Sequence, residues 1–254
     1  MLEMLTQEWG WVAIAVLEIS CFVAYFLKGF SGFGPALIFI PTVALLFEPR
    51  LALAASAFID LIVGIVLIFT LHYSRSDWPV IGQIVGWMAV GTVAGAMLAG
   101  TLSSGVILIL IAIVVLGFGS MLIIYRMPIP EKLTITHRKR MWLGSIIGGF
   151  TTGLVGIGGP FIVMATRSQM DKNSFRRILV AVALFENIIR LGAYRAVGIW
   201  QMEALQLAAL VGPAVIVGII VGAYTHGMVD ERRFNIIIGC ILLVISARIF
   251  WGFV

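Results

Sequence analysis

Ionisable side chains stand where the sequence is otherwise apolar enough for a lipid bilayer, among them Lys28, Asp60, Glu186 and Arg190. An isolated charge at the middle of a membrane helix costs on the order of 3 kcal/mol on insertion scales, so such residues are paired or handle ions and protons. Glu186 and Arg190 are four residues apart in the acid-first order that suits an ion pair on one helix face. Asp60 has no such local partner: it pairs with Lys28 or Arg190, or takes up a proton in one conformation. Asp60 and Glu186 are therefore the proton-coupling candidates. Asn187, beside Glu186, offers an amide either to a substrate or to a neighbouring helix.

Lys28 opens the stretch "KGFSGFGP" (Lys28 to Pro35), and a related stretch, "TTGLVGIGGP", runs from Thr151 to Pro160. Glycine resists ordering and proline lacks an N–H, so both stretches predict interrupted helices. Broken backbone at membrane depth must be buried in protein or line a wet cavity, and two such breaks are expected to meet near the midplane. A helix restarting at a break points its amides and positive dipole end inward, which suits an anion. The candidate binding residues are thus Lys28, Gly29, Ser31, Gly32 and Gly34 in the first stretch. In the second they are Thr151, Thr152, Gly153, Gly156, Gly158 and Gly159, with Asn187 and Arg190 further along. The plain alternative is that Lys28 snorkels to an interface and the glycines only let helices pack closely.

"GFSG" (Gly29 to Gly32) also matches the short signature around the nucleophile of an intramembrane serine protease. Ser31 would need a histidine at similar depth as base, yet His72, His137 and His226 all fall in or beside predicted loops. The second stretch has Val155 where the serine stands, so the repeat shares the glycines and not the hydroxyl. There is no metal-ligand motif, no closely spaced carboxylate cluster and no nucleotide-binding loop, so no cofactor or metal is expected. A passive anion channel remains an alternative to a transporter.

The elements that hold these residues follow from composition. Of 254 residues, 61% are hydrophobic and 11% charged, with a mean hydropathy of +1.10, a balance that fits a polytopic membrane protein whose partner is the bilayer. Helix-length apolar runs are predicted at 51 to 71, 80 to 100, 105 to 125, 178 to 197, 204 to 225 and 235 to 253. The segment from Trp9 to Leu27 follows Glu3 and Glu8 and is expected to be retained rather than cleaved. Cys21 and Cys240 both lie in predicted spans, where a disulfide framework has no role.

At an offset of about 124 residues, "GFSGFG" lies over "GLVGIG", and with small shifts Asp60 pairs with Glu186 and Trp78 with Trp200. The chain therefore reads as a first membrane repeat over 1–125, a basic cytoplasmic linker over 126–140 and a second repeat over 141–254. Each repeat opens with two short apolar arms around its glycines, 9 to 27 and 33 to 47, then about 141 to 153 and 158 to 166. If each arm pair is a hairpin that enters and returns, most of the seventeen Lys and Arg residues fall on one side, among them Arg75, Arg126, Lys132, Arg167, Arg177 and Arg232. The net charge of +5 is explained by that bias and not by nucleic acid. Three further crossings per repeat, an odd number, make the second repeat inverted. The expected fold class is an all-α polytopic membrane protein of two inverted repeats, each a broken-helix hairpin plus three transmembrane helices. The tryptophans near span ends read as an aromatic belt. The spacings Gly91 to Gly95 and Gly218 to Gly222 permit close helix contact within the chain, and the same faces would serve a homodimer.

Over "GGFTTGLVGIGGPFIVMA" (Gly148 to Ala165) the chain resembles the TauE/SafE family of membrane permeases, and the resemblance covers nearly the whole chain. It implies a multi-pass protein of the cell membrane, a bacterial inner membrane being the expected setting, that transports small sulfur-containing anions such as sulfite or organosulfonates. Export driven by the proton gradient is what the resemblance further implies, and no enzymatic activity. The family's motif falls on Gly29, Gly32 and Gly34, and on Gly153, Gly156, Gly158 and Gly159. Pro35 and Pro160 stand where the pattern has further glycines.

Overall fold

The computed structural model describes residues 10–31, 34–124, 136–159, 161, 172–225 and 231–252. All its elements are helices: α1 (Gly10–Ser31), α2 (Ala36–Leu46), α3 (Pro49–Ile68), α4 (Asp77–Thr101), α5 (Ser104–Ile124), α6 (Thr136–Val155), α7 (Lys172–Ala196), α8 (Met202–Leu210), α9 (Gly212–Tyr224) and α10 (Glu231–Trp251). Gly10–Phe30, Pro49–Ile68, Asp77–Thr101 and Ser104–Ile124 are long and apolar enough to cross a membrane. α8 and α9 make a fifth such span if counted together, bent by 52° at Val211. Pro213 accounts for that bend, because its ring cannot sit against the carbonyl one turn earlier and supplies no N–H. The run at 204 to 225, expected as one span, is therefore two short helices.

The chain divides into two compact units that do not follow its sequence halves. One comprises Met1–Ser56, Ser103–Arg126 and Gln201–Val254, the other Ala57–Leu102 and Met127–Trp200. Each unit draws helices from both halves.

In the second unit α4 and α6 touch backbone to backbone. A methyl group on Gly91 would strike the carbonyl of Ile146, on Gly95 that of Phe150, on Gly149 that of Met88 and on Gly153 that of Thr92. Residue numbers rise together along the contact, so the two helices are parallel, and only glycine allows the approach. At the start of these helices Ile81, Ile84, Met88, Met141, Ile178, Ala181 and Val182 form one apolar cluster. Arg177 closes the same end on Asp77 at 3.0 Å, while Gly100 meets Val197 at the other end. α6 and α7 thus begin together and run the same way. The arm expected at 158 to 166 lies almost wholly outside the described residues.

In the first unit the same packing recurs between α1 and α9. A methyl on Gly218 would meet the carbonyl of Phe22, on Gly222 that of Phe26, and on Gly29 that of Ile219. α5 and α10 run antiparallel, with Gly119 and Gly239 facing each other and Ser246 donating to the Ala112 carbonyl at 2.8 Å. α2 is buried from Leu37 to Ala44 among α1, α5 and α10, which is why it is apolar all round. The glycine faces expected either to pack internally or to dimerise are filled by the chain's own helices. The first arm is also longer than its predicted 9 to 27: α1 has 22 residues.

Candidate functional site

The second unit concentrates its buried polar groups around the end of α6. α6 stops at Val155 because Gly156 takes φ 76°, a left-handed conformation that suits glycine, and its N–H returns to the Thr152 carbonyl at 2.8 Å. Gly158 then folds back so closely that a methyl there would strike the Thr152 hydroxyl and the Gly148 carbonyl. Gly153, by contrast, sits inside α6 against α4, and Gly29 sits inside α1 against α9. These two glycines are packing positions, and the interruptions fall after them. Gly34, with φ 91°, marks the break in the first unit; Gly32 and the Ser31 side chain lie outside the described residues. Around Gly159 there is open space.

The last carbonyls of α6 carry negative partial charge and need donors. α7 supplies two. Arg190 donates through Nη1 to the Gly156 carbonyl at 3.2 Å, and Tyr194 donates its hydroxyl to the Thr152 carbonyl at 3.2 Å. Arg190 is 1% exposed, a buried guanidinium aimed at a helix break. One turn earlier on the same stripe, Glu186 meets Thr92 of α4 at 3.2 Å, with Arg190 and Asp60 of α3 within electrostatic reach. Thr92 Oγ1 also lies 3.2 Å from the Gly149 carbonyl of α6. Thr92 and Glu186 lie near the middle of their 25-residue helices, whereas α6 runs on past Thr92 to Ala96 before it breaks. In this unit the middle of α4 therefore carries the Thr92–Glu186 contact, and the break of α6 lies further along α4, beyond Ala96.

The remaining candidates are placed differently. Thr151 and Thr152 both turn their hydroxyls back into α6, onto Ile147 and Gly148, as threonine does within a helix. Asn187 donates to the Ala183 carbonyl at 2.7 Å and leaves its buried Oδ1 without a hydrogen-bond partner among the described residues. In the first unit Lys28 is buried in the last turn of α1, where its charge complements the helix dipole, with Nζ 5.8 Å from the centre of the Tyr25 ring. Both Lys28 and Thr151/Thr152 therefore stand at the closing end of a helix.

Thr92 and Tyr194 were not singled out in the sequence. Tyr194 was findable, since Glu186, Arg190 and Tyr194 recur every four residues along one helix stripe. Thr92 stands between two glycines in "GTVAG" and signals nothing until α6 is seen against it.

A family model described as Sulfite exporter TauE/SafE matches residues 17–249. The chain belongs to the TauE/SafE family. Neither a curated protein nor a solved structure matches it. TauE/SafE proteins are membrane transporters and not enzymes, which sets aside the serine-protease reading of Ser31. Membership, together with the apolar helices, makes this a multi-pass membrane protein.

Proposed function

We propose that the chain is a secondary transporter exporting a small sulfur-containing anion, sulfite or an organosulfonate, coupled to the proton gradient, with the glycine-rich broken helices as its anion-binding elements. The observation that carries this reading is a buried cation at the closing end of each interrupted helix: Arg190 on the Gly156 carbonyl in one unit and Lys28 in the last turn of α1 in the other. An oxyanion accepts charge-assisted hydrogen bonds from a guanidinium or an ammonium, which is the chemistry these two side chains offer. Asp60 and Glu186 are the groups that would exchange a proton as the anion moves.

The pairing pattern supports inverted repeats. By sequence, α1 corresponds to α6, α4 to α8 and α9, and α5 to α10. α4 packs in parallel on α6 and α9 in parallel on α1, so each half contributes a helix to the other's first arm. α5 and its counterpart α10 run antiparallel, as equivalents related by an axis in the membrane plane must.

Ligand-dependent melting of the purified protein tests the reading, since a bound anion stabilises the native state. Sulfite or an organosulfonate should raise the melting temperature where chloride, phosphate and carboxylates do not, and Lys28→Met should abolish the rise. A shift with carboxylates alone would contradict the substrate class, and an undiminished shift in Lys28→Met would remove the lysine from the site.

A further inference from the structure

Thr92 has one hydroxyl hydrogen and two acceptors at 3.2 Å, the Gly149 carbonyl and Glu186 Oε1. It is fully buried, with 0% exposure. If Glu186 is ionised, one contact has no proton in it and two negative oxygens crowd one hydroxyl. If Glu186 is protonated, both contacts are satisfied: the carboxylic O–H donates to Thr92 Oγ1, and Thr92 donates to Gly149. From this count we infer that Glu186, rather than Asp60, is the residue that carries a proton in the state seen here, and that Thr92 is the positioning residue that holds it there. The inference rests on the proton-coupled reading above and narrows it to one carboxyl.

The surroundings of Glu186 fit that assignment. α6 presents no titratable side chain between Met141 and Val155; its contribution to the contact is the Gly149 carbonyl. α4 presents Thr92, α3 presents Asp60, and α7 presents Arg190 and Tyr194. The Arg190 guanidinium is directed onto the Gly156 carbonyl at the break, and Asp60 brings a second carboxyl toward Glu186. A second carboxyl nearby disfavours the ionised form of Glu186. Release of that proton requires the Thr92 hydroxyl to turn from Gly149 to Glu186, which ties deprotonation to the contact between α4 and α6. The backbone-close packing at Gly91, Gly95, Gly149 and Gly153 is where such a change would be felt.

Infrared difference spectroscopy on the full-length protein in lipid, stepped between neutral and alkaline pH, reads protonated carboxyls directly. The expected result is a carboxylic C=O band at neutral pH that is absent in Glu186→Gln, unchanged in Asp60→Asn, shifted to higher frequency in Thr92→Val and restored in Thr92→Ser. A band that survives Glu186→Gln and disappears in Asp60→Asn would overturn the inference, as would no band in the parent protein. If Glu186→Gln does not fold, the Thr92→Val and Thr92→Ser pair decides: an unmoved band in Thr92→Val contradicts the assignment. Sulfite flux in liposomes is measured in parallel. The band with no flux would leave the proton on Glu186 and sink the transport reading, so the two failures are distinct.

Discussion

Arg190 donates to the Gly156 carbonyl at 3.2 Å from a position four residues before Tyr194, whose hydroxyl reaches the Thr152 carbonyl at the same distance. One stripe of α7 thus closes the end of α6 with a charged and a neutral donor. A hydrogen bond to a charged group is worth about 1.5–3 kcal/mol and a neutral one about 1 kcal/mol. Arg190→Leu should therefore destabilise the protein more than Tyr194→Phe does. Melting of the two variants in the same detergent checks the order, and equal losses would place the main support of the break elsewhere.

Glycines on the α4–α6 seam should behave unlike glycines facing open space. Gly91→Ala and Gly149→Ala push a methyl into backbone and should each cost about 1–3 kcal/mol. Gly82→Ala and Gly86→Ala have nothing within 4 Å and should be neutral or gain up to about 1 kcal/mol of helix propensity. Denaturation midpoints of the four variants provide the comparison.

The end where α4 and α7 begin is held by Asp77, which accepts from Arg177 Nε at 3.0 Å and from the Ser74 N–H at 2.9 Å. Asp77→Asn keeps the shape and removes the charge, and should lower stability by about 1–3 kcal/mol because a charged hydrogen bond to a half-buried arginine is lost. Salt should narrow the difference from the parent protein only slightly, since Asp77 is buried.

Tyr73, in the loop before α4, gives a pH signature. Burial raises its phenol above the usual value near 10, with Arg177 opposing and Asp77 adding to the rise. A raised pKa in the folded state favours the protonated phenol, so this contribution is complete below the unfolded value and is lost as pH climbs through the folded one. Its hydroxyl is buried without a hydrogen-bond partner among the described residues. Tyr73→Phe should leave neutral-pH stability unchanged or improve it by up to about 1 kcal/mol, and should remove part of the loss above about pH 10. Unfolding measured across the alkaline range checks both halves of the expectation.

Much of the helical architecture was legible because it rests on apolar length, and the glycine spacings announced the close contacts that α4, α6, α1 and α9 make. Charge bias along the loops pointed to hairpins, and the second arm of the later pair lies almost wholly outside the described residues. What could not be read was which glycine breaks and which packs. Gly153 and Gly156 are the same residue in one motif, yet one touches Thr92 and the other turns left-handed, a difference set by a helix more than fifty residues away in the chain. Thr92 escaped notice for the same reason: its two acceptors come from α6 and α7. The bend at Pro213 was available in the sequence, and the apolar run around it concealed it.

Counterflow in liposomes tests the transport reading most directly. Vesicles containing the purified protein are loaded with sulfite, a proton gradient is imposed in either direction, and sulfite release and internal pH are followed together. The account predicts release that is accelerated by a proton gradient opposing the anion's exit, is accompanied by proton entry, and is lost in Lys28→Met and Glu186→Gln. Release that ignores the proton gradient and persists in both variants, or a flux of carboxylate with none of sulfite, would contradict it.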